Sequence, residues 1–326
     1  MDAETGAVLH HIDADGRRFP ASLTKMMTLY IIFSKLREKK ISMETPLVVP
    51  RNAPPVEPSK LGLRTGQIIL IRHIILGLIT KSANDAAVTV AVGLSGSVEN
   101  FAKLMNVTAR KLGMKNTIFY NPHGLPDSRQ LTTARDMAIL SRALSHHFPE
   151  YYPLFKTRVF NYKGVSHPNH NRLLGEVHGM DGIKTGYFRL AGSNLAASVI
   201  RHVNGKKRRI IAIVLGGENR FARNKRIKEL IEIGFATPQQ RMYSQKTTKN
   251  ILYHVESSTS ASMPTDEDPI ADLIHPIAAK PLMEQSVWKN SPQKTKIQKV
   301  LKKQNPKKKI KGVIHCVRKR KSVGRG

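Results

Sequence analysis

The chain has 326 residues, enough for a domain with a large core and additional material. Its 40% hydrophobic and 24% charged content excludes a fibrous or wholly disordered protein, and a single cysteine, Cys316, excludes a disulfide framework and a cysteine-based zinc site. Lys and Arg number 54 against 23 Asp and Glu, a net charge of +31 that attracts polyanions without saying whether these are nucleic acid, anionic lipid or acidic wall polymer.

Met1-Asp2-Ala3-Glu4-Thr5 lacks the basic n-region and apolar run of a signal peptide. Val8 to His11 followed by Asp15-Gly16 predicts a strand and a turn. After Pro20-Ala21-Ser22, the recurrence of Met26, Leu29, Tyr30 and Phe33 predicts a helix with one apolar face, and Ser22 sits where it begins. Pro46 to Pro58 reads as an extended, proline-rich loop. Ile68 to Thr80 reads as an apolar buried helix, too short to span a bilayer and interrupted by Arg72 and His73. Lys81-Ser82-Ala83-Asn84-Asp85 separates it from a second apolar run, Ala86 to Val92.

Phe101, Leu104, Met105, Thr108 and Leu112 stripe a helix over Val98 to Leu112, which Gly113 stops. Thr133-Ala134-Arg135-Asp136 opens another with a variant capping box. Strand patterns follow at Gly182–Gly186, Leu195–Ile200 and Ile210–Leu215. Asn204-Gly205 signals a hairpin between the last two, in a loop lengthened by charged residues. Ile227 to Phe235 closes the series as an amphipathic helix. This order predicts an α+β fold whose antiparallel sheet takes segments from both ends of residues 1–237, with a helical region between.

Composition changes beyond Thr237. Residues 257–268 are rich in Ser, Thr, Asp and Pro, and residues 289–326 carry 15 Lys or Arg and no Asp or Glu. Such a segment buries too little apolar surface to offset its ordering entropy, so residues 238–326 are expected to be a disordered basic tail with at most a weak helix over Val287 to Leu301. Cys316 reads as an incidental thiol within it.

Three short motifs carry chemistry. In Ser22-Leu23-Thr24-Lys25, helical spacing puts hydroxyl and amine on one face. A serine needs a neighbouring base, and a desolvated lysine can serve. The spacing alone is uninformative, since it recurs by chance at Ser286/Lys289 and Ser291/Lys294. Ser82-Ala83-Asn84 lies in a break between apolar runs, where a hydroxyl can relay a proton and an amide can hold a carbonyl; it reads equally as the N-cap of the next helix. Lys184-Thr185-Gly186 lies on a short strand, where a glycine admits close approach to the backbone; Lys184 also reads as a solvated lysine on an edge strand.

Together and in this order the motifs match those of penicillin-binding proteins and serine β-lactamases. Asp2–Gly6, Pro20–Thr28, Asn84–Ala87, Asn121–Pro126, Thr133–Asp136, Phe148–Tyr152, Asn171–Leu174 and Asp181–Gly186 extend the likeness. Residues 1–237 resemble the low-molecular-weight D-alanyl-D-alanine carboxypeptidases, serine peptidase family S11. The likeness begins inside that family's first strand, so its usual upstream strand and export signal are expected to be missing here. The family's β-rich C-terminal domain is not recognisable in the sequence, and the basic tail is expected to stand in its place. Tyr187 follows Lys184-Thr185-Gly186 where many members have His.

The resemblance implies a β-lactamase/transpeptidase-like fold: an antiparallel sheet flanked by helices, with an all-helical subdomain carrying the Ser-x-Asn loop. It implies Ser22 as acyl-ester nucleophile, Lys25 as general base, Ser82 as proton relay and Asn84 as a contact to the acyl side chain. Lys184 polarises the leaving group, Gly186 lets substrate approach β-edge backbone, and the N–H groups of Ser22 and Tyr187 form an oxyanion hole. Thr185 and a cation hold the terminal carboxylate. Arg223, after Gly216-Gly217, is the candidate cation, with a solvated helix-start arginine as the other reading. His170 stands where relatives often carry a basic residue.

The implied substrate is the peptidoglycan pentapeptide, with β-lactams as inhibitors, no cofactor or metal, a periplasmic or envelope location, and no specific nucleic acid. The tail is expected to bind anionic membrane or wall polymer. A class A β-lactamase would need a Glu-x-x-x-Asn loop, which is not found between Asn84 and Lys184. A D,D-endopeptidase shares the motifs. A catalytically idle polyanion-binding protein is the alternative that the charge alone would favour.

Overall fold

A computed structural model describes residues 1–51 and 58–238. The expectations for 239–326, including the tail, its weak helix and Cys316, lie outside the described residues.

Ser22 does not open an α-helix directly. Ala21–Thr24 form a 3-10 turn, and helix α1 runs Lys25–Arg37. Its Met26, Met27, Leu29, Ile32 and Phe33 are fully buried. The proline-rich stretch is a correction. Pro46–Val48 is a strand, β1, pairing antiparallel with β2, Ile68–Leu70, because Leu47 and Ile69 face each other and both are buried; residues 52–57 are not described. The helix expected from Ile68 therefore starts later, as α2, Ile71–Ile79.

Helix α3 (Asn84–Ser95) and α4 (Val98–Lys111) follow. Ser97 caps α4, accepting from Asn100 N at 3.1 Å. Thr133 caps α5 (Ala134–His147), accepting from Asp136 N at 3.1 Å. Helices α1–α5 bury one continuous apolar cluster, including Phe33, Ile75, Phe101, Met105 and Leu140. Among the described residues no helix is long and apolar enough to cross a membrane.

A short hairpin absent from the sequence reading, β3 (Val159–Tyr162) with β4 (Val165–Pro168), precedes the main sheet. That sheet has strand order β5-β6-β7, all antiparallel: Met180–Phe188, Gly192–Val203 and Lys206–Gly217. Val203 pairs with Lys206, so the turn is the two residues Asn204-Gly205, with φ of 51° and 76°. The charged residues lengthen the strands rather than the loop, since a two-residue turn with positive φ matches strand twist and lets pairing continue to its edge.

Leu195, Ala197, Val199 and Ala212 face helix α6 (Arg220–Ala236) through Ile227 and Ile231. The opposite face, through Ile183 and Ala196, joins the helical cluster. Helix α6 starts seven residues ahead of the expected Ile227 because Asn219 caps it, accepting from Phe221 N and Ala222 N at 2.9 Å; its first two turns are too polar to show a stripe.

The strand expected at Val8–His11 does not form. A strand needs a partner, and the free edge of β7 is met instead by residues 1–3. Ala3 N donates to Arg209 O at 3.0 Å, Ile211 N donates to Met1 O at 2.9 Å, and Asp2 bridges Ile210.

Candidate active site

The 3-10 turn bearing Ser22 is held from three sides. Below it lies α1, which begins at Lys25. Beside it runs the edge strand β5: a Cβ placed on Gly186 would lie 3.0 Å from both Pro20 O and Ser22 N. On the third side is the loop Asn121–Leu125, whose Gly124 has φ +86° and packs so closely that a Cβ there would come within 1.9 Å of Ala21 O. Glycine is required at Gly124 on both counts.

The Lys25 amine is fully buried and has three neighbours. Its Nζ lies 2.7 Å from Asn84 Oδ1, 2.5 Å from His123 O and 3.1 Å from Ser22 Oγ. The first two are obligate acceptors, and the third is a hydroxyl that can also donate. A neutral amine carries two hydrogens and one lone pair. Giving both hydrogens to the carbonyl oxygens points the lone pair at the Ser22 hydroxyl, the arrangement a general base needs. Electrostatics favour the same protonation state. Burial holds the Lys25 pKa well below the usual lysine range, the Lys184 charge lowers it further, and Asp85 opposes them.

The Ser-x-Asn loop reaches this amine because α3 begins at Asn84. No side chain caps that helix, so the N-cap reading of Ser82-Ala83-Asn84 does not apply. Ser82 has φ +59°, and its buried Oγ has no hydrogen-bond partner among the described residues. Asp85 anchors the loop: its carboxylate accepts from Leu61 N and Leu63 N at 3.0 Å and from Ala86 N at 2.9 Å, while Asn84 N donates to Ser59 O at 2.8 Å.

Lys184 is 1% exposed, so it is not a solvated edge lysine. Its Nζ donates to Thr185 O at 2.9 Å, and burial followed by the charge of Arg223 brings its pKa down to about 7. Thr185 is buried beside it, whereas the Tyr187 side chain is 67% exposed. Arg223 is 7% exposed and donates from a guanidinium nitrogen to Asn194 O at 3.3 Å, so it too is not a solvated helix-start residue. It stands across β6 from Gly186, which pairs with Asn194. His170 is pushed down to about 4 by burial and then by Lys184.

Sequence reasoning attaches no role to several of these groups. Asn121–Pro126 and Asp85 carry only likeness in the sequence, yet they supply the His123 carbonyl and the anchor of the Ser-x-Asn loop. Gln130 and Asn194 leave no signal, because one buried amide makes no pattern. Gln130 accepts from Tyr120 N at 2.7 Å and Asn121 N at 3.0 Å, bracing the loop that carries His123.

The family profile described as D-alanyl-D-alanine carboxypeptidase matches residues 1–219. The D-alanyl-D-alanine carboxypeptidase DacA of Haemophilus influenzae is 36% identical over 242 residues, covering 72% of this chain and 60% of its own length. DacC of Escherichia coli is 38% identical over 242 residues, with the same two shares. The crystal structure of penicillin-binding protein D2 from Listeria monocytogenes in the ampicillin-bound form matches with a TM-score of 0.64 at 31% identity, covering 72% of this chain and 94% of that one. The chain spans 60% of the length of these two curated relatives.

Proposed function

The chain belongs to the D-alanyl-D-alanine carboxypeptidase family, and from that premise we propose that it removes the terminal D-alanine from peptidoglycan stem peptides through an acyl-enzyme on Ser22. The observation that carries the reading is the buried Lys25 amine, whose Nζ lies 2.7 Å from Asn84 Oδ1, 2.5 Å from His123 O and 3.1 Å from Ser22 Oγ, so that the neutral amine can give its hydrogens to the two carbonyls and its lone pair to Ser22.

Lys25 takes the Ser22 proton as Oγ attacks the carbonyl between the last two D-alanines. The oxyanion is held by the N–H groups of Ser22 and Tyr187; one such donor is typically worth about 10²–10³ in rate. When the C–N bond breaks, the proton passes through Ser82 to the departing amine, with Lys184 nearby to polarise it. Thr185 and Arg223 hold the substrate's terminal carboxylate, and Asn84 contacts the acyl chain. Gly186 keeps the edge of β5 open to the substrate backbone. Water, deprotonated by the same base, then hydrolyses the ester and restores Ser22. A β-lactam enters by the same attack, and a related fold has been captured with ampicillin. The substrate places the enzyme at the periplasm or cell envelope.

Fluorescent penicillin should label the protein, and Ser22→Ala and Lys25→Ala should each abolish labelling. Labelling that persists in Ser22→Ala overturns the assignment of nucleophile. D-alanine should be released from a linear pentapeptide faster than a crosslinked dimer is cut; the reverse preference would make the protein an endopeptidase.

The charge supports a second element of the reading. Residues 289–326, with 15 basic and no acidic residues, tether the enzyme electrostatically to anionic lipid or wall polymer. Deleting them should weaken salt-sensitive co-sedimentation with anionic vesicles, and unchanged sedimentation rules the tether out.

A further inference from the structure

The turn that carries Ser22 holds an unfavourable conformation. Ala21 has φ +47°, a left-handed value that is unfavourable for a non-glycine residue and persists only where the surroundings over-determine it. Within the turn, Leu23 N donates to Pro20 O at 3.2 Å and Lys25 N donates to Ser22 O. Beside the packing of β5 and the Asn121–Leu125 loop, side-chain support comes from a residue 172 positions away, counted from Ser22, in a different element.

Asn194, near the start of β6, is 0% exposed. Its Nδ2 donates to Phe19 O at 2.9 Å and to Pro20 O at 3.2 Å. Its Oδ1 accepts from Gly216 N at 2.8 Å, and its backbone oxygen accepts from Arg223 at 3.3 Å. Both amide hydrogens are therefore spent on the two carbonyls that precede the strained residue. The third bond fixes the amide to β7, where the β6–β7 register slips between Ser193 and Leu195. Asn194 also pairs with Gly186, the residue whose missing side chain lets β5 approach Ser22 N. One carboxamide thus bolts the nucleophile turn to the sheet at the level where the N–H of Ser22 and that of Tyr187 must face a common point.

Resting on the acyl-transfer reading above, we propose that Asn194 is a positioning residue for acylation: it sets the spacing of the two oxyanion donors by pinning the Phe19 and Pro20 carbonyls to the sheet. Only an amide suits this position. An aspartate would turn carboxylate oxygens against two carbonyl oxygens in a buried site, and an apolar residue would take the side-chain partner from the Phe19 carbonyl and Gly216 N and leave the Pro20 carbonyl only Leu23 N.

The test is single-turnover acylation of the full chain by a fluorescent penicillin, in wild type and in Asn194→Asp, Asn194→Ala and Asn194→Ser. The rate constant is taken per labelled molecule, so a partly unfolded preparation still reports on its folded fraction. The expected result is a fall of about 10²-fold in the saturating rate constant for Asp and Ala, as a misplacement on the ångström scale produces, with a smaller fall for Ser, which keeps one donor. Non-covalent penicillin binding, measured in a Ser22→Ala background, should stay within about threefold, so the loss falls on the chemical step. Affinity for a boronic acid, whose tetrahedral adduct fills the oxyanion site, should fall with the rate. The pH profile of acylation should not move, because Lys25 keeps its three contacts.

A merely structural role would lower the melting temperature and the labelled fraction while leaving the rate constant and boronate affinity at wild-type values, and that outcome overturns the proposal. A moved pH profile with unchanged boronate binding would assign the residue to the base instead, and also overturns it. If wild type is not labelled at all, the acyl-transfer reading fails first; if wild type is labelled and the variants acylate equally fast, only the role of Asn194 fails.

Discussion

Burying Lys184 costs stability, and the direction in which its pKa moves says at which pH. The folded-state value is held at about 7 against 10.5 in an exposed lysine, first by burial and then by Arg223. Below pH 7 both folded and unfolded chains carry the proton, and the full burial penalty is present. Between 7 and 10.5 the folded chain has released it while the unfolded chain has not, so the wild type gains stability as pH rises. Every tenfold loss of proton affinity on folding corresponds to about 1.4 kcal/mol, which makes the penalty several kcal/mol. Lys184→Met, close in length and uncharged, should therefore raise the melting temperature most at pH 6–7, with the gain shrinking toward pH 10.5, while acylation collapses. A pH-independent difference in melting temperature between variant and wild type would show that Lys184 is not held in this state. Such a trade of stability for activity is what a buried, perturbed catalytic group is expected to display. Lys25 contributes in the same direction, being depressed by burial and by Lys184.

At the scale of elements, legibility followed how local each signal is. Helices with a local start or stop signal and an apolar stripe were readable from sequence: Thr133 accepts the N–H group expected of it, and Gly113 follows the last turn of α4. The hairpin turn was readable because Asn204-Gly205 suits positive φ at both positions. Elements that depend on a distant partner were not. β1 forms only because Leu47 meets Ile69 from elsewhere in the chain, and Val8–His11 has the right residues without a neighbour. The site divides in the same way. Ser22 and Lys25 are three apart and could be paired from spacing alone, whereas Asn84, 59 residues from Lys25, reaches the same amine only through tertiary packing. Resemblance supplied that convergence; periodicity could not. The His123 carbonyl and the Asn194 amide were beyond both, the first being a backbone atom and the second a lone buried side chain.

Across the whole molecule, one buried ion pair joins stretches that are far apart in sequence. Arg208 on β7 donates from Nε to Asp2 Oδ2 at 3.0 Å, with exposures of 3% and 0% for the two side chains. The same guanidinium donates to Phe235 O at 3.2 Å and Thr237 O at 2.9 Å, at the end of α6. Asp2 also accepts from Thr5 N at 3.1 Å, closing the turn over residues 2–7. Residues 1–7, the edge of the sheet and the last turn of α6 therefore share one positive charge. A buried pair contributes little net stability over a well-packed apolar substitute, but removing one partner strands the other, at about 3–5 kcal/mol. Arg208→Met should lower the melting temperature by on the order of 10 °C for a domain of this size. Asp2→Asn should cost less, since the asparagine keeps an acceptor for Thr5 and the guanidinium keeps two carbonyls. In the double variant the second substitution should cost clearly less than it does alone, because the charge it would have stranded is already gone. Urea unfolding of the four proteins closes this cycle. Strict additivity would mean that Asp2 and Arg208 are merely adjacent, and that the start of the chain and α6 are held to β7 by backbone pairing and apolar packing instead.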